Sequence, residues 1–168
     1  MGSNPFMLTV PGADLEGVVA FRTIDDTAEL VNAASQYKKA VVIGGGLLGL
    51  EAAKGLQDQG MEVTVVHLAD WLMETQLDET AGKLLQQELE DQGLHFLMSH
   101  ATKEILGETR VTGLKFSDDS TLDTDLVVMS IGIRPATELV KDSGIEVNRG
   151  IVVNDYMETN VPDIYGVG

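Results

Sequence analysis

Apolar residues in this chain fall into short β-branched runs, separated by stretches with helical spacing. Residues 41–43 are Val-Val-Ile, and residues 61–68 are Met-Glu-Val-Thr-Val-Val-His-Leu. Both read as strands from their β-branched content. A helix-compatible run spans 47–58 between them, and Gly60 stands where a helix stop belongs. Further on, Asp78, Glu79 and Thr80 suit a helix start, Leu84, Leu85 and Leu89 share one helical face, and Gly93 ends the run. Residues 94–98 read as a third strand. Upstream, residues 18–21 read as a short strand. Residues 23–34 read as a helix with Thr23 or Asp25 as its cap and Ala28, Leu30, Val31 and Ala34 as its apolar positions.

The pattern shortens after residue 100. Residues 102–106, 111–116 and 121–122 are brief strand-like runs, separated by the turns Gly107-Glu108-Thr109-Arg110 and Ser117-Asp118-Asp119-Ser120. Residues 125–130 form another apolar run, followed by a turn at 131–135. The ends of the chain carry turn chemistry at 2–5 and 11–14. Strands alternating with helices predict an α/β fold. We expect a Rossmann-like parallel sheet with helices on both faces and an inserted antiparallel β-meander.

The first strand runs into Gly44, Gly46 and Gly49, spaced G-x-G-x-x-G. Each glycine has a physical use in a dinucleotide site. Gly44 permits a sharp turn, Gly46 lets backbone approach a pyrophosphate, and Gly49 lets the next helix pack close to the strand. The helix start then offers unpaired N–H groups and a partial charge of roughly +0.5 to phosphate. The motif alone is weak. Its context is right, because a strand precedes it, a helix follows, and a second strand ends at His67, 23 positions after Gly44. In an open parallel sheet, loops at the carboxyl ends of strands line the ligand crevice. Ile131 and Gly132 are therefore a second expected contact for the nucleotide.

Composition narrows the classes. Among 168 residues, 43% are hydrophobic and 23% charged, as in ordinary globular chains. No apolar run approaches the roughly 18 residues of a membrane span, and residues 1–9 lack the features of a secretory signal. With no cysteine, disulfides, thiolate metal sites and iron–sulfur ligation are excluded within the chain, and a cytoplasmic setting is expected. His67, His95 and His100 show no metal-ligand spacing. A net charge of −16 disfavours nucleic acid and anionic membranes as partners. It also repels a dinucleotide at long range, but salt screens that beyond about 8 Å.

Residues 41–53, 116–118, 125–135 and 159–168 together resemble the pyridine nucleotide–disulfide oxidoreductase superfamily, whose FAD domain is interrupted by an NAD(P)H domain. A narrower resemblance rests on Gly-Gly-Gly-Leu-Leu-Gly-Leu-Glu-Ala-Ala at 44–53, Leu-Met-Glu-Thr-Gln-Leu-Asp at 72–78 and Ser-Ile-Gly-Ile-Arg-Pro at 130–135. These look like the large subunits of NAD(P)H-dependent, assimilatory nitrite reductases. Rubredoxin reductases, ferredoxin reductases and NADH oxidases share much of the pattern. The resemblance implies an NAD(P)H-binding part of a flavoprotein reductase. Residues 1–37 would flank it from the FAD-domain side, 38–147 would be the NAD(P)H-binding domain, and 148–168 would return toward the FAD domain. Gly2-Ser3-Asn4-Pro5 resembles the family's Gly-Ser-x-Pro segment, with a cloning scar at Met1-Gly2-Ser3 as the alternative, and the two readings are compatible. FAD is expected in the parent protein and not in this chain, which would bind NAD(H) with negligible diaphorase activity. A reading from another class stays open: a non-catalytic dinucleotide-binding or sensing module. A third, that the loop holds FAD itself, is disfavoured by a histidine at position 67, where a carboxylate is usual.

The resemblance assigns the pyrophosphate to the N–H groups of Leu47 and Leu48. It sets Glu51 facing the nicotinamide, with a solvated helix carboxylate as the alternative. No catalytic or metal-binding residue is assigned. His67 departs from the acidic residue that accepts from the ribose 2′-hydroxyl in NAD-selective sites. A neutral histidine can bond that hydroxyl, a protonated one tolerates a 2′-phosphate, and Asp70 is a nearby substitute acceptor. No Lys or Arg lies between His67 and Lys83, so NADH is favoured over NADPH. Trp71 and Met73 flank the adenine or pack in the core, and Arg134 contacts cofactor or solvent.

Overall fold

A computed structural model describes residues 2–167; the expectations for Met1 and Gly168 lie outside the described residues. In chain order the elements are β1 (Ser3–Pro5), β2 (Val18–Ala20), α1 (Ile24–Gln36), β3 (Lys39–Ile43), α2 (Leu47–Asp58), β4 (Glu62–Val66), α3 (Glu79–Asp91) and β5 (His95–Leu97). They continue as β6 (Thr102–Gly107), β7 (Val111–Phe116), β8 (Thr121–Asp123), β9 (Leu126–Met129), β10 (Ile133–Pro135) and a 3₁₀ turn at Glu138–Val140. Met7–Ile131 forms one compact unit. Residues 2–6 and 132–167 form the other. The boundaries expected at 37/38 and 147/148 each lie within one of these units.

Local chemistry explains the helix ends. Thr23 caps α1 by accepting from the Asp26 N–H, and the Asp26 carboxylate accepts in return from the Thr23 N–H. This reciprocal box satisfies two otherwise orphaned donors. Asp78 caps α3 by accepting from Ala81 N–H at 2.9 Å. Gly60 and Gly93, both at positive φ, follow α2 and α3 as expected.

The larger unit holds a five-stranded parallel sheet ordered β2-β9-β3-β4-β5. Strand β9 and, after Lys39, β3 are apolar and buried because both faces are covered. Alternation splits them between two clusters. Ala40, Val42, Val63, Val65, Leu126 and Val128 face one way, packing with Leu30, Leu50, Ala53 and Leu56 of the helices. Val41, Ile43, Val66, Val127 and Met129 face the other way, onto Ile105, Val111, Leu114 and Phe116 of the antiparallel sheet β6-β7-β8. Each such large buried side chain contributes about 1.5–3 kcal/mol.

The parallel sheet and inserted meander match expectation, but the helices do not lie on both faces. Leu85 and Leu89 of α3 join the same cluster as α1 and α2, so all three cover one side. Handedness explains this. The crossovers β2–α1–β3, β3–α2–β4 and β4–α3–β5 all step the same way across the sheet. Right-handed connections therefore place every helix on one face. The return from β5 to β9 steps the other way, and the same rule places the meander on the opposite face.

In the second unit, β1 and β10 pair antiparallel, with Asn4 opposite Arg134. Both segments read as turns in the sequence. Each gains its ladder bonds only from a partner more than a hundred residues away. The Arg134 guanidinium lies over the Phe6 ring, 4.1 Å from its centroid.

Candidate functional site

From β3 the chain runs through α2 to β4 on one side, while β9 pairs with β3 on the other. The carboxyl ends of β3 and β9 therefore flank the switch point of the sheet, where ligands of open α/β folds bind. Gly44, Gly45 and Gly46 lie there. Gly44 has φ +118, and its N–H donates to Val66 O at 2.8 Å. A Cβ on Gly44 would stand 2.2 Å from the Ser130 carbonyl oxygen. A Cβ on Gly49 would stand 1.9 Å from the Gly44 carbonyl oxygen. Both glycines are therefore required by close backbone approach within the protein itself.

Gly46 differs. It is the N-cap of α2, and a Cβ there would meet nothing within 4 Å. No side chain caps α2, and its first turn has no acidic residue. The N–H groups of Leu47, Leu48 and Gly49 lack intrahelical acceptors by position. Leu47 and Leu48 are exposed, so these donors border open space. The end of α2 is thus an uncapped, partly positive terminus beside an empty surface, with the chemistry to hold a phosphate. Glu51 is exposed one turn on, and Ile131 is half-buried, with its side chain 3.4 Å from the position of a Gly44 Cβ. Gly132 is exposed at φ +107 and opens the second unit, where its carbonyl accepts from Phe6 N–H.

His67 does not present a free nitrogen to solvent. It is 7% exposed; Nδ1 accepts from Gly45 N–H at 3.0 Å, and Nε2 faces Glu74 Oε2 at 3.0 Å. With Nδ1 an acceptor, the ring proton lies on Nε2 and is donated to Glu74. Both ring nitrogens are thus engaged within the protein, so a bond from His67 to a ribose would have to displace Gly45 N–H or Glu74. The Gly45 carbonyl also accepts from Met73 N–H at 3.0 Å, and a Gly45 Cβ would stand 2.7 Å from the buried Leu72. The glycine loop is thereby clamped to the segment after β4. Asp70, the suggested substitute, accepts from Ser99 Oγ at 2.5 Å. Trp71 takes the packing role: its Nε1–H donates to Leu77 O, and a Cβ on Gly82 of α3 would meet its ring at 2.5 Å. Glu74 was missed in the sequence, since seven residues separate it from the position where an acid is sought. Lys83, the first cation after His67, is paired in α3 with Glu79, whose hydrogen bond holds its ammonium above the usual lysine range. Among the described residues no cluster of His, Asp or Glu could hold a metal ion, and no helix is long and apolar enough to cross a membrane.

The model of the pyridine nucleotide-disulphide oxidoreductase family matches residues 1–168. The chain belongs to this family. It is 62% identical over 167 residues to an NAD(P)H nitrite reductase of Bacillus subtilis, covering 99% of this chain and 21% of that protein. It is 53% identical over 167 residues to an assimilatory nitrate reductase electron transfer subunit of the same organism, covering 99% of this chain and 22% of the relative. The chain thus spans about a fifth of the length of these relatives. Among solved structures, a ferredoxin reductase from Rhodopseudomonas palustris superposes with a TM-score of 0.91 at 34% identity, covering 95% of this chain and 40% of that one. A family named for pyridine nucleotides is consistent with a glycine loop, an uncapped helix and a switch point meeting at one place.

Proposed function

We propose that this chain is the NAD(P)H-binding part of a flavoprotein reductase, and that its parent is an assimilatory nitrite reductase. The observation that carries the binding reading is the open, uncapped start of α2 at Gly46, between Gly44 and Gly49, which are jammed against backbone. The pyrophosphate of the nucleotide sits on the N–H groups of Leu47 and Leu48. Glu51 faces the nicotinamide end, and Ile131 borders it from the end of β9. The identity with nitrite reductase supports the choice of parent. Residues 1–37 and 148–168 lead from and back to an FAD domain, which is the partner of this chain. The flavin supplies the acceptor for hydride when bound in the parent. The residues here bind and orient the donor, and none of them handles a proton or a covalent step. A reductase drawing on the cellular NAD(P)H pool works in the cytoplasm.

The likeness to a ferredoxin reductase supports a second parent, a reductase serving a small electron carrier. Calorimetric titration of the chain with NADH, NADPH and FAD tests the binding reading. NADH is expected to bind and FAD not to bind. A purified chain that is yellow and reduces an artificial acceptor at flavoenzyme rates would overturn the assignment of FAD to another part of the parent.

A further inference from the structure

We infer that Glu74 is the residue that reads the adenosine ribose and selects NADH over NADPH; this rests on the nucleotide-binding reading above. In NAD-selective sites a carboxylate at the end of the second strand accepts from the ribose 2′-hydroxyl. Here that strand is β4, and its end carries a histidine turned inward. The His67 ring bridges outward from the glycine loop. Nδ1 takes the Gly45 N–H at 3.0 Å, and Nε2 holds Glu74 Oε2 at 3.0 Å. Glu74 is thus one imidazole ring and two hydrogen bonds from the loop backbone. Its side chain is 38% exposed, against 9% for His67. The bond to His67 engages Oε2, and Oε1 has no partner among the described residues. A carboxylate is therefore held at the expected place, with a free oxygen toward solvent, although its position in sequence is seven residues late.

The surroundings fix the sign of selection. Residues 68–82 contain no Lys or Arg, and Lys83 is already paired with Glu79. A ribose hydroxyl gains an ionised acceptor at Glu74. A 2′-phosphate meets a like charge with no cation to offset it. The clamp makes the placement reproducible. Met73 N–H on the Gly45 carbonyl and Leu72, fully buried against Gly45, hold the segment that carries Glu74 to the loop.

The test is fluorescence titration of NADH and NADPH against the 168-residue chain, its Glu74→Gln variant and its Asp70→Asn variant. Glutamine keeps the shape and still accepts from His67 Nε2–H, and a thermal melt of each variant checks the fold. Wild type is expected to prefer NADH. Glu74→Gln should lower that preference at least about tenfold, the scale of a hydrogen bond to a charged group. Asp70→Asn tests the other carboxylate near the end of β4: if it abolishes the preference while Glu74→Gln keeps it, Asp70 is the acceptor and the inference is overturned. If Glu74→Gln weakens both nucleotides equally, or changes neither, Glu74 does not select, and the inference is overturned. If wild type binds neither nucleotide, the reading of the site itself fails, and the role of Glu74 with it.

Discussion

Replacing Gly49 by alanine sets two physical effects against each other in one residue. Gly49 lies inside α2 without positive φ, so helix propensity alone makes alanine better by about 0.5–1 kcal/mol. Packing opposes this. The new Cβ would stand 1.9 Å from the Gly44 carbonyl oxygen and 3.0 Å from its carbon, where ordinary contact begins at 3.4 Å. Either α2 or the loop must retreat by about 1.5 Å. The loop has nowhere to go, since Gly44 is itself against Ser130 O and bonded to Val66 O. Overpacking of this kind costs about 1–3 kcal/mol, which exceeds the propensity gain. Gly55 supplies the control: it lies in the same helix, exposed, with nothing within 4 Å of its Cβ position. At roughly 2–4 °C per kcal/mol for a chain of this size, Gly55→Ala should raise Tm by a few degrees and Gly49→Ala should lower it. Thermal unfolding followed by circular dichroism reads both, and NADH titration should show weaker binding for Gly49→Ala alone. If Gly49→Ala melts at or above wild type, the close approach of α2 to the loop is not a real constraint.

Three further predictions concern the loop, its support and the meander. Gly46→Ala should lower Tm by no more than about 4 °C, the scale of alanine at an N-cap, and yet weaken NADH at least tenfold, because the space its methyl fills is open in the protein and is where pyrophosphate must approach; unchanged affinity by calorimetry would place the phosphate elsewhere. Leu72→Ala should cost about 2–5 kcal/mol by urea unfolding, since Leu72 is fully buried against Gly45, and a loss under about 1 kcal/mol would mean the segment after β4 is not anchored there. Asp118 and Asp119 are both held below the usual carboxylate value of 3.8, Asp118 by hydrogen bonds from the Ser120 hydroxyl and N–H, Asp119 by Lys103 and Lys115. Lowered values mean that these bonds stabilise the turn above that pH and are lost as pH falls through the lowered values. Side-chain carbonyl shifts followed by NMR should therefore give midpoints below 3.8 for both residues, and a midpoint above it for either would contradict the geometry.

Much of the site was legible because its signals are local. Gly49 is glycine because the nearby Gly44 carbonyl approaches it, and Gly46 because the start of α2 stays open, whereas the carbonyl that bars a Cβ at Gly44 is that of Ser130, beyond β9. Thr23 and Asp26, or Asp78 and Ala81, meet within one helical turn, so their caps follow from spacing alone. The partners of His67, Gly45 and Glu74, were not foreseen. Whether a strand-end side chain points outward to a ligand or inward to a loop depends on what fills the space above the neighbouring strand. Here Leu72 and Met73 close over Gly45 and turn the ring toward it.

The sequence by itself determined the order of elements, the parallel sheet, the inserted meander and the glycine turn that marks a nucleotide site. These rest on periodicity, capping and chain turns, which are set by residues near one another. Tertiary structure alone decided that all three helices share one face, that the segments at 2–5 and 133–135 become paired strands, and that Glu74 reaches the end of β4. The first follows from crossover direction across the assembled sheet. The others need partners that meet only once the chain has folded, so no local pattern records them.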